Sequence, residues 1–502
     1  MKPDVVLIFP YYMSLDPTQR KQRSPLPPLG LMYIASSLRA AGYRVQILDC
    51  TFMKPRDAER ELRLLSPNYV GVYTSITLTE HGFRLSRLAK EIGATVIHGG
   101  PDISIDPTKY LASGLVDYGV IGEGEDTIVE LLGALERKGD VSGVRGVAYL
   151  EGADRMRYTG FRPPTREPDR FPHPARDLID NRRYQEVWRE DHGYTLATVF
   201  TARGCPYGCF FCTSPVAPYG RRYAGRSPLD VVEELEEVVY KWGYQAVWFV
   251  DDVFTVQRKR TLELCRLIRE RGIDVQWSCF TRADLVDQEL LYEMRKAGCR
   301  LIFYGAESGS QKILDMMNRQ MRVEQVLRAA AMTRKAGIGI HAFFQIGYPG
   351  ETYETILETI RFLKRLMPDT FSFTMTYPLA GTELYARVSP YLSRTREWRR
   401  PLENRQMFRT DIPEAALKFA VWKASLEFYA YRRAKAGQLP FRIIEPIFRR
   451  LTDLILKAIV PPKEQSIWER HWPRGFISPP TEKCFVVKAK MPILVQIERR
   501  RP

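Results

Sequence analysis

The chain of 502 residues is 45% hydrophobic and 27% charged, an ordinary balance for a globular protein and too long for one domain. No run of 18 apolar residues occurs, and the start MKPDVVLIFPYY lacks a signal peptide's apolar stretch, so a cytoplasmic location is expected and a transmembrane helix is not. The net charge of +16 is uneven: residues 391–502 carry 24 Lys+Arg against 11 Asp+Glu, a net of +13, which implies an anionic partner or a solvated basic surface.

Residues 1–150 alternate short apolar runs with helical periodicity. VVLIFP, VQILDC, YVGVYTS, TVIHGG and VDYGVIG read as strands. GLMYIASSLRAAGY reads as a helix with Leu31, Ile34, Leu38 and Ala41 on one face, and another helix is expected from about Glu125. Strands separated by helices predict an α/β, doubly wound parallel sheet with ligands beyond the strand C-termini. A nicotinamide fingerprint needs a Gly-rich turn after the first strand, and FPYYMSLDP has none. The glycines come later, in HGG at 98–100 and IGEGE at 121–125, where backbone N–H groups can cradle a phosphate or nucleotide tail.

Residues 151–195 are rich in Pro and Arg (FRPPTREPDRFPHPARDL) and read as a linker. A second βα series occupies 196–390. LATVFTA, AVWFVDD, VQWSCF, RLIFYGAE, GIHAFFQIG and TFSFTMTYP read as its strands. Helices are expected at SPLDVVEELEEVVYKWG and near 257–271, 287–297, 323–337 and 352–367. The first has Ser227 as N-cap, Pro228 at N1 and Asp230 at N3. Six strands each followed by helix predict a partial (β/α)6 barrel, whose chemistry gathers at the strand C-terminal ends.

Residues 391–502 read as basic and mainly helical. Within IIEPIFRRLTDLILKAIV, residues Ile444, Ile447, Phe448, Leu451, Ile455 and Ile459 share one face, with Arg449, Arg450 and Lys457 outside it. The expected role of this face is packing on the barrel; the alternative is peripheral contact with a membrane interface.

RGCPYGCFFC, at 203–212, places Cys205, Cys209 and Cys212 in a C-x3-C-x2-C spacing. Clustered soft thiolates favour zinc or an iron–sulfur cluster. Structural zinc wants a fourth ligand, for which His192 is the upstream candidate. Three thiolates on a four-iron cluster leave one iron open, as catalytic metals require. The other cysteines, Cys50, Cys265, Cys279, Cys299 and Cys484, are expected to be small buried hydrophobes.

The cysteine spacing, an aromatic before the last cysteine, and the position after the first strand of a partial barrel resemble the radical S-adenosylmethionine (SAM) superfamily. The resemblance implies that Cys205, Cys209 and Cys212 hold a [4Fe–4S] cluster. Its open iron would bind SAM, and reductive cleavage would give a 5′-deoxyadenosyl radical. It also implies SAM contacts from Phe211, Asp251, Asp252, Arg282, Glu307, Gln345 and Gly347, which appear in order around successive strand ends. Asp251 and Asp252 stand where the family has a GGE-type motif, which this sequence lacks.

PPLGLMYIASSLRAAGY, VGVYTSITLT, VIHGGPD and VIGEGEDT are similar to the cobalamin-binding domain that precedes many radical SAM enzymes. By that resemblance Ser75, Thr77, Gly99, Gly100, Gly122, Glu123 and Gly124 would line a cobalamin site. The D-x-H-x-x-G motif that supplies a lower axial histidine is absent, and His98 is not in it, so base-off binding without a protein imidazole is implied. The reaction implied is methyl transfer from methylcobalamin to an unactivated carbon of a small-molecule, lipid-like or tetrapyrrole substrate. A ferredoxin or flavodoxin would supply the electrons. Radical cyclisation or rearrangement, as in anaerobic porphyrin-ester cyclases, is the alternative, and a zinc-bearing nucleic-acid-binding protein the more distant one.

Overall fold

The computed structural model describes residues 2–152, 155–214, 216, 220–393, 404–460 and 468. Its first sheet contains β1 (Val5–Phe9), β2 (Val45–Asp49), β3 (Tyr69–Tyr73), β4 (Thr95–Gly99), β5 (Tyr118–Val120), β6 (Val147–Glu151) and β7 (Arg155–Tyr158). The spatial order is 2-1-3-4-5-6-7. The first five strands are parallel, while β6 and β7 add antiparallel at one edge. The run VVLIF forms β1 because a central parallel strand is covered on both faces, and its side chains are nearly all buried. Helices α1 (Leu29–Ala40) and α4 (Glu125–Glu136) pack on one face, and α2 (Pro55–Leu65) and α3 (Thr79–Glu91) on the other. The strand order reverses between β1 and β3, and it is there that doubly wound sheets open a ligand crevice.

The segment expected to be a linker is more structured than its composition suggested. It contributes β7 to the sheet and forms α5 (Asn181–His192), with Asp180 capping the helix through a bond from Arg183 N. Arg176, in the turn before α5, is buried. It donates to Glu234 Oε1 at 2.6 Å and to the Thr198 carbonyl at 2.8 Å.

The second sheet runs β8 (Leu196–Val199), β9 (Ala246–Phe249), β10 (Gln276–Thr281), β11 (Cys299–Glu307), β12 (Gly339–Ile346) and β13 (Thr370–Met375). All neighbours are parallel and follow chain order, with no pairing of first to last: an open partial barrel. The helix α6 (Pro228–Glu236) starts as expected, with Ser227 Oγ accepting from Asp230 N at 3.2 Å. The other helices are α7 (Arg258–Glu270), α8 (Gln288–Lys296), α9 (Val323–Lys335) and α10 (Tyr353–Leu366). Period-two alternation sends Phe303, His341 and Phe343 to one face of the strands while Ile302, Tyr304, Ala342 and Phe344 pack into the core. Trp248, Phe280, Phe303 and Phe343 form a continuous aromatic ladder, with successive ring centroids 5.1, 5.1 and 5.9 Å apart.

Two further helices, α11 (Glu414–Lys435) and α12 (Leu439–Ile459), form a hairpin on α10. Its seat is partly ionic: Lys364 Nζ lies 2.9 Å from Glu427 and 3.2 Å from Glu445, and Lys423 pairs with Glu427 and, at 2.8 Å, with Asp453. This corrects the expected orientation of the apolar stripe. The inward face of α12 is Glu445, Thr452 and Leu456, whereas Ile444, Ile447, Leu451, Ile455 and Ile459 are exposed and Phe448 is half-buried. Cys50, Cys265, Cys279 and Cys299 are fully buried; Cys484 lies outside the described residues. No helix among the described residues is long and apolar enough to cross a membrane.

Buried charges join the two sheets. Arg203, just past β8, reaches Glu125 Oε1 at 2.5 Å, on the first residue of α4, and Glu123 Oε1 at 3.5 Å, in the loop entering that helix. Arg226 contacts Glu234, and its Nη1 also donates to the Tyr33 hydroxyl of α1 at 3.1 Å and to the Phe200 carbonyl at 2.7 Å. Burial alone would raise the Glu234 carboxyl, but Arg226 and Arg176 together hold it below its ordinary value. Removing one partner of such a pair strands a buried charge. Arg203→Met is therefore expected to cost about 3–5 kcal/mol in urea denaturation, part of it recovered by adding Glu125→Gln. Additive effects would show that the pair does not couple.

Glu351 gives a pH prediction. It is buried after β12, accepts from Gly347 N at 2.6 Å and from the backbone N–H of Tyr348, and burial pushes its carboxyl up to about 8. A raised folded-state value means stability intact at acid pH is lost as pH climbs toward that value. Glu351→Gln should match the wild-type thermal midpoint near about pH 5 and exceed it by about pH 9. A pH-independent difference would contradict this assignment.

Candidate active site

Two cavities meet at the C-terminal ends of both sheets. The smaller, about 200 Å³, is lined by Cys205, Cys209, Cys212, Phe211, Asp252, Arg282, Glu307 and Arg319, over a floor of Phe280, Phe303 and Phe343. The larger, about 540 Å³, lies between the sheets and is bordered by Gly99, Gly100, Gly122, Glu123, Gly124, Tyr73, Phe200 and Val250. Asp252 and Ser214 belong to both walls.

The cysteine loop leaves β8 through a short antiparallel bridge, Ala202–Arg203 with Ala224–Gly225. Asp251, at the end of β9, anchors its start. Its carboxylate accepts from Thr201 N at 2.6 Å, Ala202 N at 3.1 Å and the Thr201 hydroxyl. Asp251 is buried and does not border the cavity, so the expected ligand contact is corrected to a clamp on the loop. Its neighbour Asp252 points the opposite way, into the junction of the cavities, as alternation along a strand end dictates. Burial raises both carboxyls.

The three thiols border one cavity, but among the described residues no three His, Cys, Asp or Glu groups are placed to hold a single metal ion. His192, the candidate fourth zinc ligand, precedes β8 at the other end of the strand. Its ring packs on Trp188, and its Nε2 lies 3.2 Å from the Arg23 carbonyl oxygen. Soft donors around an open space suit a multi-iron cluster better than a closed zinc site.

Two arginines flank the thiols. Arg282 spans Asp284 with two bonds of 2.9 Å, donates to the Arg319 carbonyl at 3.0 Å, and lies 3.8 Å from the Tyr207 ring centroid. Arg319 donates to Cys209 Sγ at 3.4 Å and to the Gly305 carbonyl at 3.0 Å, with Glu307 at 3.8 Å. Arg282 Nη1 and Arg319 Nε are buried without a hydrogen-bond partner among the described residues. Arg319 was not singled out from sequence. Its signal was the short NRQMR segment after α-helical LDMM, which nothing local distinguishes from a surface turn.

Glu307 reaches the cavity through a register shift between Gly305 and Glu307 in the β11–β12 pairing, where its φ is +59°. A bulge re-aims a side chain, and strain of this kind collects at functional sites. A Cβ on Gly305 would lie 2.5 Å from Glu307 Oε1 and 2.7 Å from Arg319 Nη2, so a side chain there would displace both charged groups from their present positions. Gln345 Nε2 donates to Glu307 Oε2 at 3.0 Å and thus supports it from β12. Gly347 is not in the cavity lining; its φ is +81°, and a Cβ there would meet Leu417 of α11 at 2.8 Å.

In the larger cavity Gly100 has φ +122°, and a Cβ would stand 2.6 Å from the Thr74 carbonyl oxygen. Glu123 borders the cavity, accepts from Thr165 N at 2.8 Å, and is raised by burial despite Arg203. Ser75 and Thr77 bond each other at 3.2 Å on the loop after β3, beside the cavity but not in its lining. His98 faces the helices instead: its Nε2 is 2.7 Å from Ser86 Oγ, and burial lowers it to about 3.

A profile of the Radical SAM superfamily matches residues 199–363, and one of the B12 binding domain matches residues 20–132. The chain is 30% identical to an uncharacterised methyltransferase of Pyrococcus horikoshii over 86% of this chain and 92% of that protein. It is also 30% identical to an anaerobic magnesium-protoporphyrin IX monomethyl ester cyclase of Rubrivivax gelatinosus, over 72% of this chain and 66% of the relative. Among solved structures, the cobalamin-dependent SAM radical enzyme OxsB superposes with a TM-score of 0.71 at 15% identity, covering 91% of this chain and 72% of that one. The radical SAM methyltransferase TsrM of Kitasatospora setae gives 0.66 at 21% identity, covering 77% and 78%. With its cysteine-lined barrel mouth facing a glycine-lined doubly wound sheet, the chain belongs to the radical SAM enzymes that carry an N-terminal B12-binding domain.

Proposed function

We propose that this enzyme transfers a methyl group to an unactivated carbon of a largely apolar small molecule, using SAM, a [4Fe–4S] cluster and cobalamin. The observation that carries this reading is the common wall of the two cavities, where Asp252 and Ser214 join a thiol-lined chamber to a glycine-lined one. When bound, the cluster supplies the electron that cleaves SAM, and cobalamin supplies the methyl group.

The remaining work falls to residues of the chain. Cys205, Cys209 and Cys212 would hold the cluster as thiolates; burial raises the Cys205 thiol to about 11, so binding a cluster there would displace its proton. The unpaired N–H groups of Arg282 and Arg319 receive the SAM carboxylate. Glu307, steadied by Gln345, accepts from the ribose hydroxyls or the ammonium, and Asp252 does so from the other side. Phe211 and the aromatic floor exclude water from the reacting groups. Gly99, Gly100, Gly122 and Gly124 admit the cobalamin nucleotide tail where side chains would block it, with Glu123, Ser75 and Thr77 beside it. The commitment of His98 to Ser86 supports binding without a protein imidazole on cobalt. A low-potential ferredoxin or flavodoxin is the proposed reductant.

The cyclase relative favours a second reading, radical ring closure without methyl transfer. A single turnover with methyl-labelled SAM separates them: label in the product is expected, and unlabelled cyclised product would overturn methyl transfer. Anaerobic reconstitution should load about four irons per chain, and Cys209→Ala should fall well below that; one zinc and no iron would overturn the cluster. Arg319→Gln should keep its iron while weakening SAM binding about tenfold or more by equilibrium dialysis, the worth of one charge-assisted bond. Unchanged affinity would remove Arg319 from the SAM site.

A further inference from the structure

The hairpin of α11 and α12 presents a face that nothing in the catalytic reading uses. Leu439, Ile443, Ile447, Leu451 and Leu454 are 56–68% exposed along α12, and Trp422 of α11 extends the surface through its ring contact with Phe448 at 5.7 Å. An apolar face of this kind normally turns inward. Here it cannot, because the opposite face is held by Glu445 on Lys364, Asp453 on Lys423, and Thr452, to which Lys423 donates at 2.9 Å. Rotating the helix would bury the isoleucines only by stranding those charges.

The charges are sorted as well. The two acids of α12 are the two that face the buried lysines. Arg442, Arg449, Arg450 and Lys457 are exposed, as are Arg432, Arg433 and Lys435 at the adjoining end of α11. The outward surface of residues 432–459 is therefore apolar and cationic, with its negative charge turned inward.

We infer that this hairpin docks the enzyme on an anionic lipid bilayer, α12 lying in the interface with its leucines and isoleucines among the acyl chains and its arginines among the headgroups. The area supplies the apolar half of the attraction and the sorted charge supplies the other. A second copy of the chain would bring the same cationic rim against itself, which repels, so a bilayer is the complementary occupant.

Sedimentation of the full chain with phosphatidylcholine vesicles containing phosphatidylglycerol tests this without reference to the reaction. Binding is expected to the mixed vesicles, to be weak on pure phosphatidylcholine, and to fall with added salt. Ile447→Asp/Leu451→Asp should reduce it by about tenfold or more, since binding scales with buried apolar area. Arg449→Glu/Arg450→Glu keeps the apolar face and should reduce binding chiefly at low salt. Both variants should keep the wild-type thermal midpoint and the rate of SAM cleavage, because the altered side chains are exposed and line neither cavity. No binding by the wild type at low salt overturns the inference. So does undiminished binding by the aspartate variant, or light scattering that shows a wild-type dimer which that variant makes monomeric.

Discussion

The buried contact of Arg203 with Glu123 and Glu125 is the constraint on which the arrangement depends. Arg203 stands two residues before Cys205, and its carboxylate partners stand in the glycine loop of the other sheet and at the first residue of α4. One ion cluster therefore fixes the thiol loop and the glycine loop against each other. Buried pairs are a poor source of net stability, because desolvation offsets attraction. Their value here is geometric: an apolar interface would tolerate sliding, whereas a guanidinium between two carboxylates has one seat. The Arg226, Arg176, Glu234 and Tyr33 contacts repeat the device beneath it.

The two chambers differ in the way their contents require. The thiol-lined one is ringed by charged side chains above an aromatic floor, which suits a polar, zwitterionic cosubstrate beside a soft metal. The larger one is walled chiefly by glycine, aliphatic and aromatic residues, with charge confined to its margins at Glu123, Glu125, Arg203 and Asp252. Asp252 faces both because β9 ends between them, and adjacent Asp251 must face away to hold the loop.

Much of this was legible in the residues, and the rest had identifiable reasons to stay hidden. All six barrel strands are apolar runs bounded by turn or cap signals, and each formed; Ser227 capped its helix as its spacing implied. The cysteines were legible because three thiols in eight residues have few other uses. The role of Asp251 was not, since two adjacent acids at a strand end differ only in the face they take. Arg319 was invisible because it reaches the site from a loop twelve residues beyond Glu307, a distance no local periodicity spans. The β7 strand and α5 were masked by proline and arginine content that usually marks a tether. The outward face of α12 reversed a sound rule, since periodicity locates an apolar stripe but cannot say that buried lysines have claimed the other side.

Those lysines carry a mechanical corollary. Lys364 and Lys423 meet carboxylates drawn from two helices, so the hairpin is keyed like a plug. Sliding α12 along α11 would part Glu445 from Lys364 and Asp453 from Lys423, at the cost of breaking buried ion pairs. The hairpin is thus keyed to α10 through Lys364, and the strand that precedes α10, β12, carries the Gln345 that supports Glu307.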